Sequence, residues 1–271
     1  MSRILAIGTV LTLLSALIGG AQPTVEKGVF AYLLTKKSTG ATEKAGEESF
    51  LVEKQPDGHF RLVSSFKAIS EELKAEFGTD DLFSLDMTTD ANFRLLNYKM
   101  SSKTARGQLD ASVVVTGGQV AKIVFKTKDP DGKESRSERE VILGEPGSPD
   151  RVEPLVATGF AGSDLMILQR FITANINENK KGFLALDPFR LTNPVVQLEI
   201  EKLAPGQIKT EKETIEVQRV RVTYKDEKGE AFTLELLSKD STLHGVTAES
   251  PTNKLLMYRA DLYPKGFDVL K

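Results

Sequence analysis

The feature that most constrains this chain is a two-residue alternation of apolar and polar side chains, carried in short segments that turn-forming residues keep interrupting. A period of two puts every second side chain on one face of an extended strand, the pattern of a half-buried antiparallel sheet. Residues 195–203 (VVQLEIEKL) and 214–224 carry it most regularly. Weaker versions occupy 29–35, 49–54, 60–66, 82–87, 93–100, 109–116, 120–126, 134–143, 232–237, 243–248 and 255–263. Pro56-Asp57-Gly58, Gly117-Gly118, Asp129-Pro130-Asp131-Gly132, Pro205-Gly206 and Asp226-Glu227-Lys228-Gly229 are the punctuation. Proline presets φ and glycine accepts positive φ, so each marks a hairpin. At Gln218-Arg219 the alternation slips by one residue, which predicts a β-bulge.

Two segments follow a helical period instead. In 69–77 (ISEELKAEF), Ile69, Leu73 and Phe77 fall on one face, with Ser70 as cap and Gly78 as stop. Residues 163–179 form a stronger helix, with Leu165, Leu168, Phe171, Ile172 and Ile176 on a stripe, Ser163 as cap, and Lys180, Lys181 and Gly182 closing it. Between them, 144–154 holds three prolines and two glycines and reads as a linker or crossing loop. Eleven to thirteen strands and so few helices define a mainly β chain with a minor α component. A sheet of that size must curl, split or close. The expected architecture is one large curved antiparallel sheet or half-barrel with the 163–179 helix packed in its concave face.

The first residues are of another kind. Arg3 precedes an uncharged apolar run from Ile4 to Ile18, which ends in Gly19-Gly20-Ala21 with Pro23 just beyond. That is a secretory signal peptide, 1–21, with cleavage after Ala21; the run is shorter than the roughly twenty residues a spanning helix needs. The expected product is exported, periplasmic or extracellular. It is a single domain, 22–271, whose halves, 22–143 and 155–271, are an alternative division, and it has no further stretch of spanning length. Removing Arg3 takes the net charge from −2 to −3. Lys and Arg number 36 against 38 Asp and Glu, a balance that disfavours nucleic-acid binding, which draws on a basic surface. The resemblance of VFKTKDPDGKES to VTYKDEKGEAFT is what any pair of charged hairpins shows and does not require a duplication.

Candidate chemistry is sparse. With no cysteine, the chain has no disulfide, thiol nucleophile or thiolate metal ligand. Ser163 lies in Ala161-Gly162-Ser163-Asp164, without the second glycine of a nucleophile elbow, and reads as a helix cap. His59 and His244 both flank turns, in opposite halves of the chain. The pairs Glu47-Glu48, Glu71-Glu72 and Asp80-Asp81 diverge on a strand or helix and make no natural dyad. The Asp129–Gly132 turn has a calcium-like look but lacks the remaining ligands of an EF-hand loop. Neither phosphate-binding glycine motif occurs. No catalytic, cofactor-binding or metal-ligating residue is assigned, and no cofactor is expected. Fourteen phenylalanines remain, among them Phe66, Phe77, Phe125, Phe171, Phe183 and Phe189. They build a core, and a curved sheet offers them a cavity to line.

The signal peptide, the meander of hairpins, the helix SDLMILQRFI and the closing LELLSKDSTLHGVTAES together resemble the exported β-rich domains of unknown function found in bacterial envelopes, over most of residues 28–263. A looser similarity is to the half-barrels of periplasmic lipoprotein-localisation proteins. The resemblance implies a non-enzymatic envelope protein whose partner is an apolar or lipid-like ligand held in the curve of the sheet, or another envelope protein. A scaffold dimerising through sheet edges and a hydrolase of envelope polymers are the alternatives.

Overall fold

The computed structural model describes residues 25–148, 150–159, 161–190, 192–225 and 231–270. The proposed signal peptide and the 226–229 turn lie outside them. The first half is an unbroken antiparallel meander: β1 (Val25–Lys36), β2 (Thr42–Lys54), β3 (Phe60–Ala68), β4 (Asp81–Thr89), β5 (Leu95–Thr104), β6 (Gly107–Thr116), β7 (Val120–Lys128) and β8 (Glu134–Ile142). Helix α1 (Glu71–Phe77) interrupts it between β3 and β4. Then come β9 (Val152–Val156), helix α2 (Gly162–Asn175), β10 (Lys180–Leu186), β11 (Val195–Lys202), β12 (Gly206–Lys209), β13 (Thr214–Lys225), β14 (Ala231–Lys239), β15 (Thr242–Glu249), β16 (Asn253–Arg259) and β17 (Asp268–Leu270).

β1 pairs with β2 on one side and β16 on the other, so the first strand stitches the two halves together. The main ladder has fifteen strands, running from β9 through β10, β11, β13, β14, β15, β16 and β1 to β8; only β9–β10 is parallel among the described pairings. Its ends meet at one backbone bond, Val152 N to Leu143 O at 2.9 Å, while β9 packs against β5. The result is a nearly closed barrel. One buried cluster draws on both halves, from Phe30, Leu62 and Met87 to Leu198, Leu236 and Met257.

Helix α2 lies within that core. Leu165, Met166, Ile167 and Leu168 are consecutive and all at most 3% exposed, so the helix is surrounded rather than striped. Each such side chain contributes roughly 1.5–3 kcal/mol by leaving water. It stops at Asn175, with Ile176 as C-cap and its N–H bonded to Ile172 O. Lys180, Lys181 and Gly182 therefore do not close the helix; they open β10. The Ile176 side chain enters the core and Lys202 Nζ takes its carbonyl at 2.6 Å, so an inward turn replaces a glycine stop. In α1, Ser70 caps the Leu73 N–H and Gly78 sits at φ 65, as the sequence implies.

The expected bulge at Gln218-Arg219 is absent from the pairing with β14, which runs in register through both residues. What changes there is the buried face. β13 pairs with β12 up to Val217 and with β11 from Val220 onward. Val217 belongs to a second, outer cluster with Ile208, Leu237, Tyr263 and Phe267, whereas Val220, Val222 and Tyr224 face the barrel core. The slip marks a strand that is buried first on its outer side and then on its inner side. The strand count was expected to be lower because β9, β10, β12 and β17 are short or hidden; Val152–Val156 lies partly inside the supposed 144–154 linker. Among the described residues no helix is long and apolar enough to cross a membrane.

Candidate functional site

Two places in the fold gather polar chemistry. The first is the N-terminus of α2, inside the barrel. Helix α2 begins after Ala161, which has no side chain to cap it. Four free N–H groups in an apolar interior need partners. Glu48 reaches in from β2 and takes two of them: its Oε2 accepts from Gly162 N at 2.7 Å and Tyr32 Oη at 2.5 Å, and its Oε1 from Ser163 N at 3.2 Å and from Ser163 Oγ. Ser163 is thus not the cap; it sits one turn position inside, its Oγ 3.0 Å from Ser64 Oγ. Glu48 is fully buried, and the helix dipole favours a negative charge there. Burial and the nearby carboxylate hold the Tyr32 hydroxyl well above its usual range, so it remains a donor. Gly162 is the only residue that fits, since a Cβ would lie 2.7 Å from both Met257 and Phe30.

Asp164 follows on the same turn, 1% exposed, its Oδ2 accepting from Thr158 Oγ1 at 2.6 Å. Burial pushes its carboxyl up to about 8, against the pull of the Thr158 bond. Its Oδ1 and the Tyr224 hydroxyl find no partner within the described protein. Burial also raises Asp187, beside Arg190, and the hydroxyl of Tyr224. The Glu48 and Thr158 bonds tie the start of the helix to β2 and to the segment just before it.

The second place is an open groove of about 600 Å³ on the inner face of the β5–β8 sheet, where it extends past the part covered by the core. Phe77, from the end of α1, and Leu109, from β6, supply its apolar surface. Ser102, Thr104, Thr127 and Ser135 line it with hydroxyls; Thr127 and Ser135 bond each other at 2.6 Å. Three contacts build it. Ala105 N donates to Phe77 O at 2.7 Å, tying α1 to the β5–β6 turn. Gly107 takes φ 123 where a Cβ would lie 2.1 Å from Lys128 O. Deeper along the same face Phe125 meets Phe189 edge-on at 6.3 Å.

The histidines lie elsewhere. His59 is partly exposed at the β2–β3 hairpin, its Nδ1 2.9 Å from Asp57 Oδ2. His244 is buried in the outer cluster against the Tyr263 hydroxyl, and burial lowers its basicity. Glu47 turns outward to Lys44 while Glu48 turns inward, the divergence expected of strand neighbours. Asp129 serves its own turn, its Oδ1 accepting from Lys133 N at 2.8 Å and its carbonyl from Gly132 N at 3.0 Å. Among the described residues no three His, Asp or Glu side chains gather as a metal site. Sequence reasoning missed Glu48, whose signal was its place in the apolar phase of β2 with Phe50 and Val52. It also missed Leu109, an ordinary alternating leucine.

These features define a mainly β protein, a nearly closed barrel around a buried helix with a groove on its uncovered inner face. No family model matches the sequence, and no curated protein matches it. Among solved structures, the chain is similar to a β-barrel-like protein of the domain of unknown function DUF1849 from Brucella abortus, with TM-score 0.50 and 10% identity over 92% of this chain and 98% of that one. A DUF1089 family protein from Pseudomonas aeruginosa aligns at TM-score 0.35 and 11% identity, over 79% and 86%. The first likeness is one of fold, and it matches the expected resemblance to β-rich domains of unknown function at that level.

Proposed function

We propose that this is an exported, non-enzymatic protein of the cell envelope that binds an apolar chain in the groove beneath Phe77. The observation that carries the reading is the groove itself: Phe77, at the end of α1, and Leu109, on the inner face of β6, stay partly exposed beside a sheet face whose deeper part is packed. A concave, partly apolar surface ringed by hydroxyls suits a ligand with one greasy part. The ligand lies at the uncovered end of the curve rather than at its centre, because α2 occupies the centre. Export rests on the 1–21 pattern.

N-phenyl-1-naphthylamine, a neutral apolar fluorophore, tests the reading, and the chain has no tryptophan to confuse its signal. The protein should enhance its fluorescence with saturation at one probe per chain. Leu109→Asp and Phe77→Ala should each weaken binding about tenfold, roughly 1.4 kcal/mol, with thermal unfolding otherwise cooperative. No enhancement by the natural protein, or binding by both variants as tight as the natural protein's, would count against the groove.

A further inference from the structure

The groove lies on a part of the chain whose charge runs against the rest. Residues 95–142, which hold β5 to β8, carry nine Lys and Arg against six Asp and Glu, a net +3 in a protein of net −2. The excess reaches the groove mouth, which Arg106, Lys128 and Lys133 line together with Asp129 and Glu134.

With three cations against two acids the mouth keeps a net charge of +1. Glu134 pairs with Lys128 at 3.1 Å, and Asp129 Oδ1 accepts the Lys133 backbone N–H in its turn. The cations left over are Arg106, highly exposed and held only by a 3.7 Å approach to Glu76, and the Lys133 ammonium, which has no ion pair among the described residues. Arg106 and Lys133 thus give the entrance a small positive excess, whereas the surface beyond it is apolar and hydroxylated.

We propose that the groove selects an amphiphile with an anionic head, its chain against Phe77 and Leu109 and its phosphate or carboxylate between Arg106 and Lys133. This rests on the groove reading above and adds to it the charge of the ligand. Arginine offers a planar fork to such a head and lysine a movable ammonium. Both cations are at the surface, so their attraction is screened by salt, and selectivity should shrink as ionic strength rises.

Displacement of bound N-phenyl-1-naphthylamine by dodecyl amphiphiles below their micelle concentrations gives the test. Dodecyl phosphate and laurate should displace the probe at concentrations about tenfold lower than dodecyl maltoside, and dodecyltrimethylammonium should be the poorest competitor. In the double variant Arg106→Glu with Lys133→Glu, the anionic preference should vanish or reverse while the neutral probe binds as before. That unchanged probe binding shows the variant is folded. Equal competition by all four heads, or an anionic preference that survives the double variant, overturns the assignment while leaving the groove intact. Failure of the natural protein to bind the neutral probe overturns the groove and this inference with it.

Discussion

At the scale of single residues, two buried acids in one interior differ in how many hydrogen bonds they receive. Glu48 receives four donated bonds at the start of α2, whereas Asp164 receives one. For Asp164 the consequence is a pH dependence of stability. Its carboxyl is held at about 8 in the folded chain and near 4 once unfolded. The folded state therefore keeps a proton that the unfolded state has lost between those values. Its penalty is absent below pH about 4, grows as pH rises, and levels off above about 8, reaching roughly 5 kcal/mol in order of magnitude. Urea unfolding at pH 5 and pH 8.5 should show that Asp164→Asn loses less stability over this interval than the natural chain. Equal losses would show that Asp164 does not titrate there. This pair was only partly legible in the sequence. Glu48 shares the apolar phase of β2, a readable anomaly, but its partner at Gly162 lies 114 positions away, and alternation carries no information about that distance.

At the scale of elements, period and turn chemistry specify local structure well where one face is buried throughout. The Gly117-Gly118 turn takes positive φ at both residues, and Ser70 and Gly78 bound α1 as their chemistry dictates. The misreadings share a physical cause, a change in what covers an element. β13 passes from outer to inner burial and so imitates a bulge; β9 contains Pro154 beside a Pro- and Gly-rich segment and so imitates a linker. Helix α2, expected in the concave face of the sheet, is there, and Met166 and Ile167 off its apolar stripe are buried as fully as the stripe itself. A helix enclosed by sheet cannot collapse into a cavity cheaply. Leu168→Ala should cost about 2–5 kcal/mol in denaturant unfolding. A loss below about 1 kcal/mol would mean that α2 rests on the sheet instead of being surrounded by it.

At the scale of the whole molecule, β1 joins the two halves and a single bond marks the seam between the ladder ends. The curved mainly β form was readable because so many alternating strands cannot lie flat; which strands neighbour one another was not, since pairing of β1 with β16 joins positions far apart in the chain. The same geometry turns an undistinguished stretch of meander into the groove. Its covering side chain, Phe77, comes from α1 and its mouth from two hairpin turns, none of which identifies itself as a ligand contact in the sequence. The central claim is that this groove, and not the helix-filled interior, is where a ligand sits. Chemical-shift mapping of the isotopically labelled protein with dodecyl phosphate tests it most directly. The account predicts saturable shifts concentrated at Phe77, Ser102, Arg106, Leu109, Thr127 and Ser135, with the amides of α2 nearly still. Shifts centred on Gly162 to Ile172, or scattered with no saturation, would contradict it.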